Sequence, residues 1–334
     1  MNTDSISFQS VLDALTAANG KDIPRRYLQQ LSDIGPLELK TLLEVWPRVP
    51  ASRKLALLKG LESLAEEDTL VNFDDFARAI LNDPDASVRI SAIRLLSECE
   101  DPKLVPALLD MLKNDPDVNV RMEVAAVLNL FVDLGELEEI PEKTYHQIED
   151  ALLAVGNSED DVHIRRAALE SLGYSSRPEV VTLIESTFHR ENPEWQASAL
   201  LARGRSADER WEDEITVSLV NEDDRIRMAA VKAAGELPLK AAGPLLLKLL
   251  EEEEDDEIIA AAVWSLSQIG GEDVRTYLEN MLDQSEDEEQ IAYLEEALDN
   301  LAFTEDLERF DLISFDPDID LEDLEEIDED DEEE

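Results

Sequence analysis

The sequence is short of the residues on which catalysis, redox chemistry and phosphate binding usually depend. Its 334 residues include one cysteine, Cys99, which excludes an internal disulfide. Glu98, Glu100 and Asp101 surround that thiol with negative charge and offer no cation to stabilise a thiolate, so it reads as a small buried hydrophobe in a reducing compartment. The three histidines, His146, His163 and His189, stand in the dipeptides HQ, HI and HR, with no paired spacing that would hold a metal. Neither a glycine-rich phosphate loop nor a nucleophile elbow is present. No enzymatic activity, metal or cofactor is therefore expected. No run of residues approaches the ~18 apolar positions of a membrane span, and "MNTDSISFQS" lacks a basic start followed by an apolar stretch, so a cytoplasmic protein is expected. Basic residues are scarce as well: 29 Lys plus Arg against 81 Asp plus Glu give a formal charge of −52, which repels nucleic acid.

Hydrophobic residues nevertheless make up 43% of the chain, too many for an acidic protein disordered throughout. They are arranged in a repeat. "NDPDASVR" at 82–89 returns as "NDPDVNVR" at 114–121, and alignment on the last position continues through Arg165, Gln196, Arg227, Ile259 and Ile291. The spacing is 31 or 32 residues except for one interval of 44, between Arg121 and Arg165. That interval contains "VDLGELEEIPEKTYHQ", an acidic insertion expected at one edge of the stack. Each copy carries an apolar stripe at helical spacing, such as Val88, Ala92, Leu95 and Leu96, and a second amphipathic helix lies between copies, clearest in "DPKLVPALLDML". Asp101 before Pro102, and Asp83 before Pro84, read as N-caps followed by a proline at the first helical position. Two short helices cannot bury both apolar faces alone, so successive pairs must stack. The expected fold is all-α: an α-solenoid of antiparallel helix pairs over residues 73–303. Degenerate helical repeats cap it at 1–72, and an acidic tail follows at 304–334.

The pairing of an "L-VPALLDML" helix with a "DPD--VR--A---L" helix resembles the HEAT repeats, especially the short variety of the phycobilisome lyases. The resemblance implies a HEAT-like superhelix in which Asp83, Arg89, Asp115, Arg121, Arg165 and Arg227 form a hydrogen-bonded ladder between successive units, with Glu159 as the acid beside Arg165. The ladder is expected to fade where Asn221 replaces the acid and Gln196, Ile259 and Ile291 replace the arginine. The family includes adaptors, transport receptors and a few enzymes. The "HE" dyads of its di-iron member, deoxyhypusine hydroxylase, are absent here, and the HEAT-like DNA glycosylases need a cationic groove that this chain lacks.

The resemblance also places the "VR" helix on the concave side, where Ser91, Arg94 and Glu98 would face a groove. The period carries that set to Glu123, Glu170, Tyr174, Arg205, Lys232, Glu236, Trp264, Gln268, Tyr293, Glu296 and Asn300. Arg94, Tyr174, Arg205, Trp264 and Tyr293 are the candidate partner contacts, with Trp264 and Tyr293 as anchors because large amphipathic rings dominate binding energy. Packing between helices is the alternative for both rings. From 304 to 334 there are 18 acids and one base, Arg309, with Phe310 and Phe315 as further candidate contacts if the segment binds rather than only solubilises. The leading expectation is a monomeric, non-catalytic scaffold for a protein of basic or mixed-charge surface. The rival is a phycobilin-lyase-like or other small-ligand protein, and a saline habitat is a separate explanation for the charge.

Overall fold

The computed structural model describes residues 7–17 and 23–315, with the side chains of residue 272 and of 308–315 outside that description. Among the described residues every regular element is helical. The chain divides after Thr187 into two compact units. The first contains α1 (Phe8–Thr16), α2 (Arg25–Leu28), α3 (Pro36–Val45), α4 (Ala51–Glu67), α5 (Asp74–Ile80), α6 (Ala86–Arg94), α7 (Val105–Asn114), α8 (Val118–Glu136), α9 (Glu142–Gly156) and α10 (Val162–Ser171), and is closed by α11 (Pro178–Phe188). The second contains α12 (Pro193–Arg205), α13 (Glu212–Ser218), α14 (Asp224–Glu236), α15 (Gly243–Glu252), α16 (Asp256–Ile269), α17 (Glu272–Gln284) and α18 (Glu288–Phe315).

Within each unit successive "VR" helices pack on one another, and most also pack on the other helix of their pair. In the first unit α4, α6, α8 and α10 touch in succession; in the second, α12, α14, α16 and α18 do the same. This is the α-solenoid pattern, and each layer is built from the apolar stripe read in the sequence. In α6, Val88, Ala92 and Ile93 are buried, as is Leu96 just beyond it. Leu95 is only half-buried, because α6 ends at Arg94 and the next residues turn away from helical register.

The "VR" helices start where a short acid or amide can take the free N–H groups of the first turn. Asp85, Asp117, Asp161, Asn192, Asp223 and Asp255 each accept from the N–H two residues on. Asp101 caps the turn at Pro102 as the sequence suggests. Asp83 does not: the cap of α6 is Asp85, and Asp83 accepts the Asp85 N–H at 2.9 Å from outside the helix. The acid before the proline is thus free to serve a tertiary contact.

Two further expectations change. The insertion between Arg121 and Arg165 is largely helix, lengthening α8 to 19 residues and α9 to 15, with only a short turn between them. Its apolar positions explain this, since Phe131, Val132, Leu134 and Ile148 are buried like the rest of the stack. At the other end, α18 does not stop at Phe303. Thr304 donates to the Ser267 carbonyl at 3.1 Å and Glu305 pairs with Arg275, so the first residues of the acidic segment belong to the folded stack.

Small residues set how closely the "VR" helices approach. A Cβ on Gly204 would lie 2.6 Å from the Ala233 Cα, and one on Gly235 would lie 2.8 Å from the Ser265 Cα. Both obstacles are backbone atoms and cannot swing aside. Hydroxyls also tie "VR" helices together: Ser265 donates to the Val231 carbonyl at 2.8 Å across the α14–α16 contact, and Ser171 to the Ala125 carbonyl at 2.7 Å across the α8–α10 contact. Overpacking such a contact costs about 1–3 kcal/mol. Gly235→Ala is therefore expected to lower the urea midpoint of the protein clearly. Gly243→Ala, whose new methyl meets only the Ile269 side chain at 4.0 Å, is expected to leave it nearly unchanged.

Candidate functional site

Loops that lead into the "VR" helices carry a row of ion pairs, buried at Arg89–Asp115 and more open at Arg121–Asp160. Arg89 forks onto Asp115 through Nε (2.8 Å) and Nη2 (2.7 Å) and donates through Nη1 to the Asp83 carbonyl (2.9 Å). Arg121 repeats the pattern, binding the Asp115 carbonyl at 2.9 Å and Asp160 at 2.8 Å. Arg227 binds the Asn221 carbonyl at 2.8 Å and Glu253 at 2.6 Å. Each arginine thus clamps the loop before its own helix and reaches the acid of the following loop. The third acid is Asp160, not Glu159. Arg165 donates to the Gly156 carbonyl at 3.4 Å.

The row does not fade at Asn221, because the arginine uses that residue's carbonyl, and the Asn221 amide oxygen accepts the Asp223 N–H at 2.9 Å as Asp83 does for Asp85. Glu253 was legible, since it stands six residues before Ile259, the same offset as Asp83 from Arg89. Lys54 and Trp46 were not. Lys54 Nζ lies 2.6 Å and Trp46 Nε1 2.8 Å from the same Asp83 oxygen, and both come from segments without the repeat signature. Burial alone would raise the Asp83 carboxyl, but Lys54, the Asp85 N–H and Trp46 together hold it below the usual carboxylate range. The Arg227 guanidinium does the same for Glu253.

Two consequences are measurable. Arg89→Met leaves Asp115 buried without its fork and is expected to cost about 3 kcal/mol in urea unfolding. Carboxyls depressed in the folded state stabilise it fully above their unfolded values, near pH 4, and that contribution is lost as pH falls through the folded values. Thermal melts between pH 7 and pH 3 should therefore show stability falling in the acid range, and Lys54→Met should reduce the part of that fall due to Asp83.

Side chains on the other edge of the "VR" helices line the solvent-facing cavities. In the second unit Lys232, Glu236, Trp264, Gln268 and Tyr293, all predicted to face a groove, line one cavity of about 690 Å³. Met228, Pro238, Ala260 and Ala261 supply its apolar walls. Trp264 is 38% exposed. Tyr293 is half-buried and its hydroxyl donates to the Ala260 carbonyl at 2.8 Å, which ties α18 to α16. Arg205 lies 3.3 Å from Glu236 at the edge of the same face. In the first unit Arg94 forks onto Glu123 at 3.0 and 3.1 Å beside a cavity of about 620 Å³, where Glu62, Glu66, Asp74 and Glu98 also stand. Tyr174 is half-buried in the short turn after α10 and is not brought to either cavity. Phe310 and Phe315 fall among the residues whose side chains are not described.

Two arrangements had no sequence signal. Arg203, from the basic stretch "LARGRSADERW", is wholly buried, with its guanidinium carbon 3.7 Å from the Phe188 ring centre and 4.3 Å from that of Trp211. It is a core cation held by aromatic faces, not a surface docking residue. The insertion builds a further cavity of about 690 Å³ around Tyr145, His146, Glu149 and Arg177. There Tyr145 donates to Glu136 at 2.6 Å, and buried Glu149 accepts from Ser175 at 2.6 Å and lies 2.8 Å from His146 Nδ1. That contact raises His146 above the usual imidazole range, and desolvation raises Tyr145. Among the described residues no group of three or more His, Cys, Asp or Glu side chains converges as a metal site, and no helix is long and apolar enough to cross a membrane.

Stacked antiparallel helix pairs, with arginine-clamped loops before α6, α8 and α14, define an α-solenoid. The sequence profile of HEAT repeats matches residues 75–141, 180–267 and 218–299, more than half of the chain, and the chain belongs to the HEAT-repeat family. No curated protein matches it. Among solved structures it is similar to the complex of CpcE and CpcF of phycocyanin lyase from Nostoc sp. PCC7120, at 16% identity and a TM-score of 0.51, over 90% of this chain and 97% of that one. It is also similar to yeast importin-β, Kap95p, at 12% identity and a TM-score of 0.43, over 88% of this chain and 46% of that one. Human deoxyhypusine hydroxylase is a third, at 16% identity and a TM-score of 0.32, over 78% and 95%. At these identities the likeness is one of fold.

Proposed function

We propose that this chain is a non-catalytic scaffold that binds another protein along the edge of its "VR" helices, acting as a cytoplasmic monomer. The observation that carries the reading is the convergence of Lys232, Glu236, Trp264, Gln268 and Tyr293 from three successive "VR" helices on one cavity. Their side chains mix charge, amide and aromatic surface, the composition of a protein interface more than of a reaction centre. The net charge of −52 favours a partner of basic or mixed-charge surface, raising the encounter rate while the aromatic rings slow release.

Small-ligand handling is the rival, because the cavity volumes fall within the range of small-molecule sites. Affinity capture from the native lysate separates the two. The immobilised full chain should retain a defined protein, identified by mass spectrometry, that is released by salt and retained at least tenfold less by Trp264→Ala. A visible absorption band in the eluate, with no protein retained under any condition, would overturn the scaffold reading.

A further inference from the structure

The cavity on α14, α16 and α18 has two properties that together specify its occupant. The first is an open apolar anchor. Of the four tryptophans, Trp46 and Trp211 are buried and Trp195 is half-buried with the Arg190 guanidinium 4.5 Å from its ring centre. Trp264 is the exposed one, beside Met228, Ala260 and Ala261. An indole left in water beside apolar walls gains when an apolar side chain covers it, by about 25 cal/mol for each Å² buried. The Tyr293 hydroxyl is already bound to the Ala260 carbonyl, so that ring is held in place before any partner arrives.

The second property is the charge around the anchor. Residues 251–303 contain 18 acids and one base, Arg275, and Arg275 is engaged by Glu305. The acids cluster where α16 and α18 begin, at 254–257 and 286–289; in the cavity lining itself Glu257 and Glu236 stand against one cation, Lys232. The first-unit cavity offers a contrast: it is also acidic, but its one aromatic ring, Phe73, is buried, so it can attract a cation without anchoring a side chain.

We infer that the Trp264 cavity binds a peptide segment of a partner protein in which one large apolar side chain is flanked by Lys or Arg. The apolar side chain fills the space between Trp264 and Tyr293, and the flanking cations meet Glu257 and the acidic starts of α16 and α18. This rests on the scaffold reading and narrows it to one anchor and one class of ligand. Charge alone would accept any polycation, and the apolar walls alone any hydrophobe. The two together demand both.

Fluorescence anisotropy with the full chain tests this, using three labelled nine-residue probes. One has a central Phe flanked on each side by Lys and Arg, the second replaces Phe with Gly, and the third keeps Phe but is flanked by Glu. The first is expected to bind at least tenfold more tightly than either control, to weaken as salt rises, and to lose at least tenfold in affinity in Trp264→Ala. Glu257→Gln should weaken it less and reduce the salt dependence. Circular dichroism and a thermal melt establish that both variants are folded. Equal affinity for the Phe and Gly probes, unchanged affinity in folded Trp264→Ala, or no binding of the first probe would each overturn the inference. If a defined protein is captured from lysate equally by wild type and Trp264→Ala, the scaffold survives and this anchor fails. If no protein is captured and the eluate is coloured, the scaffold reading fails with it.

Discussion

A buried charge must be met by an opposite one, and the loops of this solenoid are organised around that requirement. In a chain carrying −52, acids are abundant and cations scarce, so the placement of each interior cation is informative. Lys54, Arg89, Arg121 and Arg227 stand where a loop turns into a "VR" helix, and each joins that region to an acid of a loop. The arginines also take a backbone carbonyl of the preceding loop, which would otherwise be left unsatisfied. Removing one member of the Lys54–Asp83 or Arg89–Asp115 pair strands its partner in a poorly solvated place, which makes these rungs stricter constraints on register than their net stabilisation suggests. Arg203 meets the same requirement differently, with the faces of Phe188 and Trp211 against its guanidinium.

Once the rungs fix the register, the close approach of the "VR" helices follows. Gly204 and Gly235 fall at equivalent points of successive repeats and bring backbone against backbone, and serine hydroxyls of α10 and α16 find carbonyls on α8 and α14. The buried edge of each helix is consumed in this way. The opposite edge stays in solvent, and there the repeat period places Lys232, Trp264 and Tyr293 side by side although they are about 30 residues apart. This cavity is thus a by-product of stacking: what makes the solenoid fold also aligns the side chains that line it.

The repeat was legible because helical periodicity and the "DPD--VR" signature are local and recur at a fixed interval. The candidate cavity was legible for the same reason, since Lys232, Glu236, Trp264, Gln268 and Tyr293 are related by the period alone. Local patterns misled where chemistry depends on a remote partner. Asp83 looked like a helix cap, but Lys54 and Trp46 draw its carboxylate into the core, and Asp85 caps instead. Arg203 carried no local signal of burial, and only the fold closes two rings on it.

The sequence by itself determined the fold class and the family, because these follow from periodicities short enough to read along the chain. Only the tertiary structure decided which acid completes each rung, that the insertion lengthens two helices, and that Trp264 stays exposed while Trp46 and Trp211 do not. Those outcomes depend on which side chains arrive from distant segments. A burial or an ion pair is a property of two places in the chain at once, and a one-dimensional pattern records only one of them.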